Sequence, residues 1–170
     1  HVKLGSNLGE LFMLNLEEFL SERQQLNKTL TLVTGVFDLL HEEHLRFLQK
    51  AKKTADLLLV GLESDLRVKQ MKGQGRPFND QLNRLQNLQK LGIADFIFIL
   101  PEEFSQAKDH RTLIAKIRPD FMAVSSNTLF QAEKAKILAE FDAKLVIVHD
   151  YNPKFSSSKI INKVIKDGQK

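Results

Sequence analysis

Two histidines three residues apart, His41 and His44, stand where a strand-like run gives way to a helical one. Upstream, Thr31, Leu32 and Val33 are strand-forming and Gly35 permits a close backbone turn. Downstream, Leu45, Phe47, Leu48 and Ala51 recur at helical spacing, so a helix is expected to begin near His41. Residues three apart share one helical face, and both imidazoles then project from a first turn whose free N–H groups and dipole favour anions. The chemistry on offer is phosphate binding. The same pair, beside Glu42 and Glu43, invites a zinc reading. A helical zinc pair, however, has its histidines four apart with a glutamate next to the first, and no third ligand is identifiable, so no direct protein cage for a metal is expected.

Two further stretches carry polar chemistry. The segment 71–80 holds Gly73, Gly75 and Pro77 with the cations Lys72 and Arg76, which predicts an exposed loop able to rearrange and close over a ligand. Lys72 and Arg76, with Lys69 as neighbour, suit phosphate oxygens. Near the far end, Ser156, Ser157 and Ser158 precede an apolar helical pattern of Ile160, Ile161, Val164 and Ile165. Hydroxyls at a helix start serve as caps, and the same groups can cradle a phosphate or a base edge. Lys154 is a further nearby cation.

Together these stretches resemble one family. Gly35-Val36-Phe37-Asp38-Leu39-Leu40-His41-Glu42-Glu43-His44 resembles the G-x-F-D-x-x-H-x-G-H signature of the cytidylyltransferase-like nucleotidyltransferases. Phe155-Ser156-Ser157-Ser158-Lys159-Ile160 is similar to their I-S-T-T-K-I motif, and Lys72-Gly73-Gln74-Gly75-Arg76-Pro77 resembles their K-G-x-x-R-P segment, most closely in the heptose-phosphate adenylyltransferase branch. Order and spacing agree across about residues 30–165, and three matches in register are far more specific than one.

The resemblance implies transfer of a nucleoside monophosphate from a nucleoside triphosphate to a phosphorylated sugar or small alcohol, with release of pyrophosphate. Adenylyl transfer is favoured slightly over cytidylyl on the Lys72–Pro77 likeness alone, with glycerol-phosphate cytidylyltransferases and flavin-adenine dinucleotide synthases close behind. It casts His41, His44 and Lys72 as the catalytic set, and Gly35, Val36, Phe37, Asp38, Arg76, Ser156, Ser157 and Ser158 as nucleotide-binding. From the residue types alone, Asp38 reads equally as an Asx turn or helix cap. Arg84 resembles the arginine that opens the family's next helix and, with Ser125 and Asn127, is a candidate substrate contact. Magnesium is expected as the cofactor, bridging the nucleotide phosphates. A homodimer is one implied assembly.

Two departures motivate an alternative, a non-catalytic nucleotide-binding or regulatory module of the same fold. Glu43 occupies the position of the signature's second glycine. At Pro119–Asn127 the branch's P-D-x-x-V-K-G-G-D-Y pattern lacks its lysine, both glycines and its aspartate.

Composition sets the frame. At 170 residues, one domain over 1–170 is expected, with 1–28 as an N-terminal helical extension on the core. Within it, Asn15 with Glu18 three residues on predicts a capped helix start, and Leu16, Phe19 and Leu20 an apolar face. With 42% hydrophobic and 27% charged residues the chain is of the globular class. The absence of cysteine excludes disulfides, thiol catalysis and thiolate-ligated zinc, and fits a cytoplasmic location. Apolar runs such as Leu57–Gly61 fall well short of the roughly 20 residues of a membrane span, so no membrane partner is expected. The net charge of +4 is scattered among acids, which argues against nucleic acid. The start on His1 is expected of a trimmed chain, and no targeting segment is read from it. Neither a G-x-G-x-x-G after the first strand nor a G-K-[ST] is present, which disfavours dinucleotide oxidoreductases and P-loop kinases.

The positioning elements follow from the periodicity. Strands are expected near 30–35, 57–62, 95–99, 120–124 and 144–148, and helices near 42–53, 80–90, 110–117, 128–141 and 158–167. The alternation predicts βαβ units in a doubly wound parallel α/β sheet of five or so strands, a Rossmann-like nucleotidyltransferase fold. Continuous runs such as Phe96-Ile97-Phe98-Ile99 fit strands buried on both faces. Such sheets bind ligands beyond their carboxyl ends, where the Gly35–His44 turn and the Tyr151–Ser158 loop are both expected.

Overall fold

The first strand, β1 (Leu30–Gly35), is flanked on both sides by parallel partners, and its position fixes the rest of the sheet. The computed structural model describes residues 8–152 and 154. With β2 (Leu57–Leu62), β3 (Phe96–Ile99), β4 (Phe121–Ser125) and β5 (Lys144–His149), β1 forms one all-parallel sheet in the order β3-β2-β1-β4-β5. The doubly wound parallel sheet expected from the alternating runs is therefore present. Sequence order reverses between β1 and β4, which makes their carboxyl ends the switch point where such folds open a crevice.

Both faces of the sheet are covered, which is why its strands carry unbroken apolar runs. On one face Leu32, Leu59 and Met122 pack with Leu16 and Leu20 of α1 (Leu8–Gln25), Ile114 and Ile117 of α5 (Ala107–Ile117) and Leu138 of α6 (Gln131–Ala139). On the other face Val33, Leu58 and Val60 pack with Leu48 and Ala51 of α2 (Glu42–Lys52) and with Leu85 and Leu88 of α4 (Gln81–Leu91). Each fully buried Leu or Val contributes roughly 1.5–3 kcal/mol by leaving water. The apolar stripe of α2 thus anchors the helix while its first turn overhangs the carboxyl end of β1.

Three expectations need revision. Asn15 does not cap a helix, because α1 begins at Leu8 and Asn15 lies within it. A further helix, α3 (Asp65–Lys72), precedes the glycine-bearing loop, so Met71 and Lys72 belong to a helix end. The loop from Gly73 to Asp80 is also far from free: Asp38 accepts from the backbone N–H of Phe78 and of Asn79, both at 2.8 Å. The helix expected over 158–167 lies outside the described residues. Among the described residues no helix is long and apolar enough to cross a membrane.

Candidate functional site

The turn from β1 to α2 is shaped by packing. A Cβ at Gly35 would stand 2.7 Å from the Phe37 ring, so glycine is what lets that ring lie over the end of β1. Phe37 holds a positive φ of 48°, uncommon for a residue with a side chain and a form of local strain that clusters at functional turns. Its ring, 6% exposed, meets the His44 ring edge-on at 5.4 Å. His41 takes the extended N-cap position of α2 without capping it through its side chain. The His41 and His44 rings stack at 3.9 Å.

Neither histidine Nδ1 has a hydrogen-bond partner among the described residues, although both atoms are buried. Burial, then the neighbouring His41 and Lys72, push the His44 pKa down to about 4 against a hydrogen bond to the Leu39 backbone that raises it. Burial likewise lowers His41, opposed by the charge of Glu43. Burial thus favours the neutral form of both rings. An arriving phosphate would favour the protonated form and strengthen the grip. Lys72, at the end of α3, is lowered from the usual lysine range by burial first and then by Arg76, with Asp38 opposing.

These groups face a cavity of about 600 Å³ at the switch point, a size suited to a small-molecule ligand. From the β1–α2 side it is lined by Gly35, Val36, Phe37, Asp38, His41, Glu43, His44 and, from α3, Lys72. From the β4, α6 and β5 side come Ser125, Asn127, Thr128, Lys134, His149 and Tyr151. The structure thus gathers most of the residues singled out in the sequence around one opening. Ser125 and Asn127 line it together, the Ser125 hydroxyl donating to Asn127 Oδ1 at 2.6 Å.

Other candidates are engaged by the protein itself. Asp38, 2% exposed, spends its carboxylate on the loop backbone and on Arg76, whose guanidinium approaches at 3.0 Å. Arg76 accordingly lies against Asp38 and lines a separate surface hollow with Lys69 and Asn83. Arg84 is wholly buried, donating to Asn79 O at 3.0 Å, Val36 O at 2.8 Å and Asp65 Oδ1 at 2.7 Å. That geometry corrects its expected substrate contact: Arg84 ties α3, α4 and the β1–α2 turn together, with no surface left for a ligand. Ser156, Ser157 and Ser158 lie outside the described residues.

Glu43 and two residues the sequence did not single out complete the rim. The Glu43 carboxylate meets His149 Nε2 at 2.8 Å and Arg46 at 3.4 Å. Lys134 is lowered by burial, with Glu63 opposing. Neither His149 nor Lys134 belongs to a local pattern: the pairing of β5 beside β4 brings His149 here, and Lys134 comes from α6. Among the described residues no group of three or more His, Cys, Asp or Glu could hold a metal ion.

Comparison with known proteins identifies relatives of this chain. Bifunctional protein HldE from Campylobacter jejuni subsp. doylei is 33% identical over 148 residues, covering 87% of this chain and 30% of that protein. HldE from Campylobacter curvus is 35% identical over 153 residues, covering 90% and 30%. The chain thus spans about 30% of the length of these relatives. Among solved structures, the lipopolysaccharide core biosynthesis protein of Thermoplasma volcanium superposes with a TM-score of 0.60 at 22% identity, covering 74% of this chain and 99% of that one. Pantoate-beta-alanine ligase of Francisella tularensis, complexed with beta-gamma ATP and beta-alanine, superposes with a TM-score of 0.56 at 16% identity, covering 89% and 76%. These two likenesses establish the fold. The cytidylyltransferase-like family profile matches residues 32–163, a span that takes in the stacked histidines and the whole sheet beyond the first residues of β1, and the chain belongs to that family.

Proposed function

We propose that this chain is a nucleotidyltransferase, moving a nucleoside monophosphate from a nucleoside triphosphate to a phosphorylated sugar or small alcohol and releasing pyrophosphate. Adenylyl transfer is favoured slightly over cytidylyl. The observation that carries the reading is the stacked His41–His44 pair, with buried Nδ1 atoms lacking partners, at the start of α2 and facing a 600 Å³ cavity.

In-line attack on an α-phosphate builds negative charge on the phosphoryl oxygens, and positioned donors and cations suffice to stabilise it without a covalent intermediate. His41 and His44 take the α-phosphate and leaving oxygens in this reading, assisted by the α2 N-terminus. Lys72 neutralises the outer phosphates, and its partial burial strengthens that interaction. Gly35, Val36 and Phe37 supply close backbone and a ring wall. Ser125, Asn127 and Lys134, from across the switch point, take the nucleoside or the acceptor. The carboxylates of Asp38 and Glu43 are already engaged, so the residues present do not fit a direct protein cage. Magnesium in this reading enters on the nucleotide, whose phosphate charge it neutralises.

The presence of Glu43 in the cavity wall keeps a second reading alive, a binder without turnover. Pyrophosphate release separates the two. Purified protein, assayed with ATP, CTP, GTP and UTP plus magnesium against a panel of sugar phosphates and phospho-alcohols, should release pyrophosphate with one nucleotide and one acceptor class. Nucleotide binding without release across the panel would favour the binder.

A further inference from the structure

The first turn of α2 carries two glutamates. Glu42 is exposed and paired with Arg46, whereas Glu43 lines the cavity with only 14% of its side chain exposed. A carboxylate at a helix N-terminus is attracted by the same free N–H groups and dipole that would attract a phosphate. Left alone, Glu43 would compete with an anionic ligand and repel it.

Two groups hold it. Arg46 is more than half exposed, is shared with Glu42 and reaches Glu43 at only 3.4 Å. His149 is the closer partner, at 2.8 Å, with 10% of its side chain exposed. The Nδ1 of His149 lies 3.4 Å from the ammonium of Lys50. An ammonium only donates, so Nδ1 accepts and Nε2 carries the hydrogen that is donated to Glu43. Phe47 stands edge-on to the His149 ring at 6.5 Å. The nearer contact, the hydrogen bond from His149, is therefore the one that holds the carboxylate at the end of β5.

We propose that His149 is a positioning residue for anion binding: by holding the Glu43 carboxylate against the end of β5, it keeps the start of α2 open to a polyphosphate. The inference rests on phosphate binding at the His41–His44 site and names what regulates that affinity in this chain. His149 acts through Glu43 and touches no reacting atom.

A mutant cycle tests it with inorganic tripolyphosphate as the probe, titrated by calorimetry. His149→Ala should weaken binding about tenfold, the cost of one freed carboxylate near the anion. Glu43→Gln should leave affinity equal or tighter, and E43Q/H149A should match E43Q. His149→Gln, which keeps a donor, should retain most of the affinity. If H149A does not fold, His149→Leu preserves bulk against Phe47 and carries the same cycle. Unchanged affinity in H149A, or a loss that persists in E43Q/H149A, overturns the proposal, as does wild-type protein that does not bind tripolyphosphate. The cycle involves no transfer chemistry. The expected pattern without pyrophosphate release from any nucleotide sinks the transferase reading alone, and pyrophosphate release with tripolyphosphate affinity unchanged in H149A sinks this inference alone.

Discussion

Asp38 and Arg76, thirty-eight positions apart, meet at 3.0 Å with side chains 0% and 12% exposed. The carboxylate also accepts the backbone N–H groups of Phe78 and Asn79, so one residue of the β1–α2 turn fastens the loop that follows Lys72. Removing one partner of a buried pair leaves charge and donors uncompensated. Asp38→Ala should therefore cost about 3–5 kcal/mol of stability. Urea unfolding checks it, and a loss below about 1 kcal/mol would show that the fastening is not where the energy lies.

Arg84 and Lys72 separate structure from chemistry. Arg84→Met strips hydrogen bonds from Val36 O, Asn79 O and Asp65, and should destabilise by about 3–5 kcal/mol as a buried charge network is broken. Lys72→Met removes an ammonium at a helix end and should change stability by no more than about 1 kcal/mol while turnover falls. Thermal melts beside pyrophosphate assays on both variants decide it, and the reverse pattern would exchange the two roles.

Much of this arrangement was legible in advance. Unbroken apolar runs marked strands buried on both faces, and the five strands fall within a residue or so of where periodicity put them. His41, His44 and Lys72 converge because a parallel sheet delivers its carboxyl ends to one edge. Helix α3 was hidden because it buries only Val68 and so lacks an apolar stripe; the available sign was Ser64, whose hydroxyl caps Arg67 N–H. Arg84 read as a ligand contact because an arginine beside a phosphate-type loop has the right chemistry, and only tertiary packing reveals its three internal acceptors. His149 was invisible for a related reason, since its partner Glu43 is brought to it by α2 packing beside β5.

The acid limb of stability should carry the signature of His44. Its pKa is about 4 in the folded protein against 6.5 for a free imidazole, so between these values the unfolded chain binds more protons. Stability is then unaffected by this group above about 6.5, falls as pH drops towards 4 and levels below it, with a total of at most about 3 kcal/mol. Unfolding of wild type and His44→Asn from pH 7 to pH 4 should show the variant losing less over that window. Parallel curves would contradict it.

The central claim is that the stacked imidazoles grip a nucleoside triphosphate, and calorimetry on three proteins tests it most directly. Wild type, His41→Ala and His44→Ala are titrated with whichever magnesium–nucleotide releases pyrophosphate, and turnover is measured alongside. Each substitution should lower turnover roughly 10²–10³-fold, as loss of a transition-state donor does. Nucleotide affinity should weaken as well, with melting temperatures close to that of wild type. Wild-type affinity and turnover in either variant would contradict the account.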